Sequence, residues 1–267
     1  MKISVLICGC NIVDTIEYAI NSVVNQTCLP EEIVYVDDGS CDGSAKLVQT
    51  LLRDSSIKLK IIQNKVNVGL TKSLNIGLRE CSCTLIARLD ADDFWLPTHI
   101  EYGHRVFETC PSAFLVGFRA TGASLWQNRI PYLKLQSISS MSVSDNTVYK
   151  KISRLNLLMG NPFSHSSIIF KNIQHDTAIK YNETFKVSQD YALYACLFDS
   201  GKLMINSKCN TAVVVERDNS ISKQKRKEQL LNSIKVKKKV GSNNKLSFFL
   251  ACMFCIKEWI YLRLLRD

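Results

Sequence analysis

Three carboxylates stand close together in this 267-residue sequence, at Asp90, Asp92 and Asp93, directly after an apolar run that ends at Leu89. Carboxylates at this spacing repel one another, and they cost stability unless a cation neutralises them. Mg²⁺ and Mn²⁺ prefer such hard oxygen ligands and commonly share them with the phosphates of a substrate. A helix N-terminus before Pro97, where acidic residues favour the helix dipole, is the alternative interpretation. The density of the cluster at a predicted strand end favours a site for Mn²⁺ or Mg²⁺.

A second acidic motif follows an earlier apolar run and spans Val36–Ser44. Its first two carboxylates, Asp37 and Asp38, precede a Gly-Ser turn that leads into a predicted helix. Asp, Gly and Ser form turns readily, so Asp42 or Ser44 could simply cap that helix. Taken alone, this motif fits a ligand site and a structural turn about equally, and the choice depends on the elements that carry it.

Alternating strands and helices place both motifs at one edge of a sheet. Four short apolar runs alternate with three amphipathic stretches whose apolar residues recur at helical spacing. The predicted strands are Ile3–Cys8, Glu32–Val36, Leu59–Ile62 and Thr84–Leu89, and the predicted helices are Val13–Gln26, Ser44–Leu52 and Leu70–Leu78. This pattern predicts a Rossmann-type, mostly parallel α/β sheet with helices on both faces. Such folds bind ligands at the carboxyl ends of the strands, where both acidic motifs lie.

The later part of the chain has a weaker pattern. Residues 120–150 are rich in Ser, Thr and Asn, show no clean period and predict a long binding or mobile loop. Further strands are predicted at Val116–Phe118, Ser167–Phe170 and Thr211–Val215, with a helix at Asp190–Phe198. We expect one body over residues 1–218, with halves 1–110 and 111–218, and a separate basic helical tail over residues 219–267.

Composition and charge narrow the class of protein. Hydrophobic residues make up 46% and charged residues 22%, with 11 Gly and 5 Pro, which excludes disordered and collagen-like chains. The formal charge of +10 is concentrated in residues 215–267, which hold 13 Lys and Arg against 5 Asp and Glu. The 11 cysteines cannot all pair, so we expect free thiols in a reduced, cytoplasmic compartment. The first residues run straight into a strand-like segment, and we expect no secretory signal.

The basic tail carries an apolar run, Leu246–Ile256, bounded by Lys245 and Lys257. A helix of this length is too short to cross a bilayer. Followed by Trp259, the run suits an interfacial helix that basic side chains hold on an anionic membrane surface. A C-terminal helix packed on the body is the alternative. The first interpretation predicts a peripheral protein on the inner face of the cytoplasmic membrane.

Five motifs, taken in order, resemble the family 2 glycosyltransferases, whose fold is called GT-A. They are Ile3–Asn11, Asn25–Thr27 with Pro30, Val36–Ser44, Asn67–Thr71 and Ala87–Asp93, and the similarity thins beyond residue 110 but continues to about 222. The resemblance implies a GT-A-like fold and inverting transfer of a sugar from a nucleotide-sugar donor. It also implies a glycan or lipid-linked acceptor, in the synthesis of a bacterial surface polysaccharide.

The resemblance assigns roles to individual residues. Asp38 would contact the nucleobase, Asp90 the ribose, and Asp92 a metal ion on the diphosphate, with Asp90 as a second ligand. A metal neutralises the charge that develops on a diphosphate leaving group, which agrees with the interpretation of the acidic cluster. Lys72 could add a cation near the phosphates or be an ordinary exposed helix residue. The full set of predicted substrate contacts is Cys8, Cys10, Asn11, Asp38, Gly69, Lys72, Arg88, Asp90 and His165.

The resemblance also implies a general base that deprotonates the acceptor hydroxyl. Family members usually carry a Glu-Asp pair at the start of a later helix, and Gln189 and Asp190 stand at that place here. Asp190 keeps the carboxylate and is the predicted catalytic residue, although an acidic residue there would also stabilise the helix N-terminus. His165 lies in a segment similar to the family's approach to this helix, where a substrate contact and a structural role are equally open.

Two positions depart from the family pattern. Cys10 replaces a usual Tyr, which removes a stacking surface and puts the usual nucleobase contact in doubt. Arg217 stands where a His is common, so a fixed cation would replace a metal or phosphate contact. Neither departure removes the carboxylates on which the predicted chemistry depends.

Two other function classes compete with a glycosyltransferase. A nucleotidyltransferase on a related fold would carry a Gly-rich, basic loop after the first strand, which Cys8–Asn11 does not provide. A nucleic-acid-binding protein would use the basic tail, but the near-neutral body carries no recognisable nucleic-acid module. We therefore expect an enzyme with no nucleic-acid partner.

Overall fold

A central sheet of nine strands organises the computed structural model, which describes residues 1–124, 149–172, 180–216, 221–242 and 245–264. The strands are β1 (Ile3–Gly9), β2 (Glu32–Asp37), β3 (Lys58–Gln63), β4 (Leu85–Asp90), β5 (Phe94–Trp95), β6 (Leu115–Ser124), β7 (Tyr149–Lys151), β8 (Ile168–Lys171) and β9 (Met204–Glu216). Their order across the sheet is β3-β2-β1-β4-β8-β6-β9-β5, and β7 also pairs with β9. Strands β5, β7 and β8 oppose the direction of the others, so the sheet is mostly parallel, as predicted.

Helices cover both faces of the sheet. They are α1 (Ile16–Val24), α2 (Ser44–Leu51), α3 (Leu70–Glu80), α4 (His99–Thr109), α5 (Arg154–Met159), α6 (Gln189–Asp199), α7 (Ile221–Gln224), α8 (Arg226–Gly241) and α9 (Lys245–Leu264). Along β1, Ile3, Val5 and Ile7 belong to one buried cluster, whereas Leu6 and Cys8 belong to another. A strand with apolar side chains on both faces must be covered twice, which confirms the two-sided α/β prediction.

The register of the parallel strands brings the predicted ligand residues together. Gly9 at the end of β1 lies opposite Asp37 of β2, and Cys8 lies opposite Asp90 of β4. The segments that follow these three strands therefore share one edge of the sheet. Both acidic motifs lie at this edge, as the alternation of elements predicted.

The far half of the sheet contains longer strands than the sequence predicts. Strand β6 continues to Ser124 and β9 begins at Met204, beyond the ranges 116–118 and 211–215. Buried polar residues in β9 interrupt its apolar pattern; Thr211, for example, is fully buried, with its hydroxyl 2.7 Å from Nδ1 of His99. The short strands β5 and β7 and the helices α4 and α5 have no counterpart in the prediction. Residues 125–148 of the predicted loop lie outside the described residues.

The C-terminal helices pack on the body. Val236 of α8 shares a buried cluster with Leu157 of α5 and Tyr191 of α6. Asn232 Nδ2 also donates to the carbonyl oxygen of Val187 at 3.0 Å. This packing agrees with the alternative interpretation, a C-terminal helix packed on the body, because α8 buries an apolar face between its lysines. The domain boundary near residue 218 stays a prediction.

Helix α9 has one face on α8 and another in solvent. The two helices are joined by Lys237, 2% exposed in its side chain, which donates to Glu258 Oε1 at 2.5 Å and to the Phe254 carbonyl oxygen at 3.1 Å. The outer face carries apolar side chains that are 50–70% exposed, namely Leu246, Phe249, Met253, Ile256 and Ile260. Within the ranges that the structure describes, no helix is both long enough and apolar enough to span a bilayer.

Candidate active site

Side-chain hydrogen bonds tie the turn after β2 to the segment after β1. Asn11 has a left-handed backbone (φ 52°), accepts the Cys41 N–H on Oδ1 at 3.0 Å and donates its own N–H to Ser40 Oγ at 2.9 Å. Asp42 Oδ2 accepts the Val13 N–H at 2.9 Å. Asn11 therefore fixes the two loops against each other and is not among the residues that line the adjacent cavity. The substrate contact predicted for Asn11 stays a prediction.

Asp38 is buried and organises the loop that leads into α3. Its Oδ1 accepts the Asn64 side-chain N–H and the Val68 backbone N–H, and its Oδ2 accepts the Gly69 N–H, each at 2.9 Å. Asp38 also lines the cavity at the strand ends. One carboxylate can therefore hold the loop and, through Oδ2, still accept a further N–H from a ligand.

A cavity of about 670 Å³ opens at the carboxyl ends of β1, β2 and β4. Its lining includes most of the predicted site residues, namely Cys8, Cys10, Asp38, Gly69, Lys72, Asp90 and Asp92. The first turn of α3 borders it, so the helix dipole and Lys72 favour an anion there. Burial raises the pKa of Cys8 to about 12, so its thiol stays protonated and shapes the wall without adding charge.

Asp90 is held as a carboxylate by its neighbours. Burial alone would raise its pKa, but the Arg88 guanidinium, His165 and the Ser166 hydroxyl together lower it below the usual value. Arg88 Nη2 donates to Asp90 Oδ1 at 2.5 Å, and Ser166 Oγ donates to Oδ2 at 2.9 Å. Arg88 is fully buried and does not line the cavity. In this structure Arg88 positions Asp90 from the interior, and the predicted contact with a substrate stays a prediction.

The third carboxylate of the cluster points into the core. Asp93 accepts the Val215 N–H at 2.8 Å and contacts the Ser166 hydroxyl, which also contacts Asp90. Burial, with the nearby charges of Asp90 and Asp92, raises the pKa of Asp93 to about 8. Asp93 is therefore an internal hydrogen-bonding partner of Ser166. Ser166 was not predicted as a site residue, because one Ser in a Ser-rich segment looks like its neighbours in the sequence.

His165 lies behind the acidic cluster and does not line the cavity. It is 9% exposed, with Nδ1 at 3.8 Å from Asp90 Oδ2 and Nε2 at 2.8 Å from the Tyr181 hydroxyl. Burial, followed by the charge of Arg88, lowers the pKa of His165, so the imidazole is neutral at neutral pH. The structure thus brings His165 to Asp90 through the protein interior, where it supports the acidic cluster.

Asp190 lies in the first turn of α6, as predicted, next to a second and smaller cavity. Its Oδ2 accepts the Asn161 side-chain N–H at 2.7 Å. Asn161 also borders a cavity of about 310 Å³, whose other polar residues are Lys150, Asn156 and Asn206. The charge of Asp190 acts on His165, where it opposes the lowering of the pKa by burial. Asp190 therefore acts in two directions. Its charge affects His165 behind the acidic cluster, and its carboxylate contacts Asn161 at the second cavity.

Asp90 and Asp92 are the residues that could hold the predicted metal ion. Within the described ranges, no group of three or more His, Cys, Asp or Glu residues could hold a metal by itself. Mg²⁺ and similar ions, however, often take one or two carboxylates and complete their shell with water and substrate phosphates. Two carboxylates on a cavity wall fit a cation that binds together with a diphosphate.

Three charged residues that the sequence analysis did not assign also line the larger cavity. They are Glu183, Lys186 and Lys225. Lys225 belongs to the basic run of the predicted tail. Its positive charge was there explained by an anionic membrane surface, so no ligand in the cavity was considered for it. Arg217, the predicted replacement for a family His, lies outside the described residues.

Comparisons with known proteins agree with this geometry. The family model described as "Glycosyl transferase family 2" matches residues 4–173. The amylovoran biosynthesis glycosyltransferase AmsE of Erwinia amylovora is 28% identical over 193 residues, which cover 72% of this chain and 67% of AmsE. The succinoglycan biosynthesis protein ExoU of Rhizobium meliloti is 27% identical over 253 residues, covering 92% and 71%. The chain spans only 59% of an uncharacterised glycosyltransferase of Haemophilus influenzae, at 27% identity.

Solved structures share the fold over nearly the whole chain. S. aureus TarS 1–349 in complex with UDP aligns with a TM-score of 0.68 and 16% identity, covering 97% of this chain and 71% of TarS. The mannosyltransferase PcManGT of Pyrobaculum calidifontis, in complex with GDP-Man and Mn²⁺, aligns at 0.66 and 14%, covering 95% and 73%. The architecture is therefore that of the GT-A transferases. The family model is matched across both acidic motifs, so the chain belongs to glycosyl transferase family 2.

Proposed function

We propose that this protein is a metal-dependent, inverting glycosyltransferase that uses a nucleotide-sugar donor. The observation that carries the proposal is the single cavity in which Asp38, Asp90 and Asp92 meet at the strand ends. Asp90 and Asp92 would hold Mn²⁺ or Mg²⁺, which when bound supplies charge neutralisation for a diphosphate leaving group. Two structural neighbours were solved with UDP-GlcNAc and with GDP-Man and Mn²⁺, which supports this donor class.

The residues of the cavity would orient the donor. The N-terminal turn of α3 and Lys72 face the space where phosphates would lie, and both favour negative charge. Asp38 would accept an N–H of the nucleobase on Oδ2, whose only protein donor among the described contacts is the Gly69 N–H. Cys10 lines the wall where the family carries an aromatic residue. The base would therefore be held by hydrogen bonding more than by stacking.

Asp190 would take the proton from the acceptor hydroxyl. Its carboxylate is oriented by Asn161, and Asn161 borders the second cavity together with further amide side chains. Amide and ammonium groups are suitable hydrogen-bonding partners for sugar hydroxyls. We place the acceptor, a glycan or a lipid-linked sugar, in this second cavity. The amylovoran and succinoglycan relatives support a role in the synthesis of a bacterial surface polysaccharide.

Helix α9 would hold the protein on the anionic inner face of the cytoplasmic membrane. Its outer face presents Leu246, Phe249, Met253, Ile256 and Ile260 to solvent, while its other face is fixed on α8. Exposed lysines of α8, including Lys235, Lys238 and Lys239, add positive charge close to this surface. Apolar burial combined with attraction to anionic lipid is the usual basis of interfacial helix binding.

A nucleotide-release screen tests the proposed reaction. The purified chain is incubated with a panel of nucleotide-sugars and candidate acceptors in the presence of Mn²⁺, Mg²⁺ or excess EDTA. We expect one donor to release its nucleoside diphosphate in a metal-dependent manner, with inversion at the anomeric carbon of the product. Release that is equal with and without EDTA would contradict metal dependence, and a retained anomeric configuration would contradict the role of Asp190 as base.

A further inference from the structure

Three lysines border the larger cavity, and two of them, Lys186 and Lys225, are not among the predicted site residues. Lys72 belongs to the first turn of α3, Lys186 to the segment before α6, and Lys225 stands immediately before α8. All three side chains are exposed at the rim of the cavity. Surface lysines are common and do not mark a site by themselves. Lys186 and Lys225 differ from ordinary surface lysines because a buried contact holds their segments together.

That contact joins the segment of Lys186 to the helix that follows Lys225. Asn232 of α8 is 5% exposed and donates from Nδ2 to the carbonyl oxygen of Val187 at 3.0 Å. Val187 directly follows Lys186, and the Lys225 carbonyl oxygen accepts the Gln229 N–H at 2.9 Å in the first turn of the helix. The backbone positions of both lysines are therefore set by the packed C-terminal helix.

The other charged residues that line the cavity do not balance the charge of a diphosphate. Asp90 is paired with Arg88, but the cavity lining carries three further carboxylates, Asp38, Asp92 and Glu183, beside the cation Lys72. A divalent ion and Lys72 together would offset these three carboxylates and leave no positive charge for a diphosphate. Charge that enters a partly desolvated site must be compensated by a partner there. The ammonium groups of Lys186 and Lys225, which also line the cavity, would supply the missing positive charge.

We propose that Lys225, together with Lys186, binds the diphosphate of the donor, so that the C-terminal helices complete the donor site. The inference rests on the proposed donor class. It adds a phosphate-binding residue, Lys225, from the part of the chain predicted as a separate tail. It gives α8 a function in nucleotide binding besides its packing on α5 and α6. The contact is a binding contact and does not involve proton transfer.

Titration calorimetry in the presence of Mn²⁺ tests the proposal with four nucleoside diphosphates, UDP, GDP, CDP and dTDP, and their monophosphates. We expect Lys225→Ala to raise the Kd of the preferred diphosphate about tenfold, the effect of losing one charge-assisted contact. The Kd of the matching monophosphate should change much less, and Lys225→Arg should retain most of the affinity. Lys227→Ala is the matched control, because Lys227 is exposed in the first turn of α8 and does not line the cavity.

Equal diphosphate affinities for Lys225→Ala and Lys227→Ala would overturn the proposal and leave the proposed function intact. So would an equal loss of diphosphate and monophosphate affinity, since the contact would then not be to the added phosphate. If the unsubstituted chain binds none of the four diphosphates, the donor class fails and this inference fails with it. Thermal unfolding of Lys225→Ala should match that of the unsubstituted chain, because the side chain is exposed.

Discussion

Asp38 combines a structural role with a proposed binding role, and a substitution should reveal both. Three N–H groups of Asn64, Val68 and Gly69 depend on its carboxylate. We expect Asp38→Ala to lower the free energy of unfolding by about 1–3 kcal/mol, the usual cost of leaving buried donors unpaired, and also to weaken nucleotide binding. Urea unfolding, with the exposed Asp54→Ala as control, measures the first effect. An unchanged unfolding midpoint would show that the loop does not depend on Asp38.

Asp190 is argued to act on the acceptor, so its substitution should separate turnover from donor binding. Asp190→Asn keeps the size of the side chain and can still contact Asn161, but it cannot accept a proton. We expect kcat to fall by about 10²–10⁴-fold, the usual range for a general base, while the Kd for the nucleoside diphosphate stays within about twofold. Steady-state kinetics and calorimetry on the same preparation measure both. Full turnover with a lowered thermal midpoint would reduce Asp190 to a charge at a helix N-terminus.

For single residues, the sequence predicted which side chains line the cavity better than it predicted what each of them does there. Asp38, Asp90 and Asp92 meet in one cavity because parallel strands end at one edge, which the strand pattern alone implies. Arg88 could not be placed from the sequence, since the same strand residue could face the ligand or the interior. In the structure its side chain is fully buried and donates to the carbonyl oxygen of Leu6 on the neighbouring strand, which is a tertiary property.

At the scale of elements, the sequence is most informative where strands are continuously apolar. The first four strands and three helices were predicted close to their observed bounds because β-branched runs alternate clearly with amphipathic stretches. Strand β9 could not be predicted in full, because its polar residues are satisfied by partners far away in sequence, such as His99 for Thr211. The sequence left open whether the basic tail packs on the body, because lysines surround the apolar residues that α8 buries.

The outer face of α9 can be tested without disturbing its packing on α8. Phe249 and Ile256 are 60% and 54% exposed, so the double substitution of both to Ser should leave thermal unfolding unchanged. We expect it to weaken co-sedimentation with anionic vesicles about tenfold or more, because each buried apolar side chain contributes about 1.5–3 kcal/mol. This loss should persist at high salt, which screens only the lysines. Leu29→Ser, 46% exposed on another surface, is the control.

Equal sedimentation of the double variant and the Leu29→Ser control would contradict membrane docking through α9. Binding that is lost only at high salt in every variant would assign the attraction to the lysines of α8 alone. Either result would leave the donor cavity and its residues untouched, since neither Phe249 nor Ile256 lines it.

At the scale of the whole molecule, the C-terminal helices connect regions that the sequence analysis separates. They pack on α5 and α6, place Lys225 at the larger cavity and present the apolar face of α9. Removing residues 219–267 would uncover Leu157 and Tyr191, so a truncated chain should lose stability as well as any membrane affinity. Point substitutions are therefore the appropriate tests of each role.

In the proposed reaction, Asp92 and Asp90 bind a divalent ion that is required for transfer. The most direct measurement is nucleotide release by Asp92→Ala across a Mn²⁺ titration, beside the exposed Asp54→Ala and with the unfolding of both variants recorded. We expect Asp92→Ala to fold normally and to show no metal-stimulated release, because the metal loses a carboxylate and the repulsion within the cluster is relieved. Asp54→Ala should respond to Mn²⁺ like the unsubstituted enzyme. Metal-stimulated release by Asp92→Ala at a near-normal rate would contradict the proposed metal site at Asp92 and Asp90.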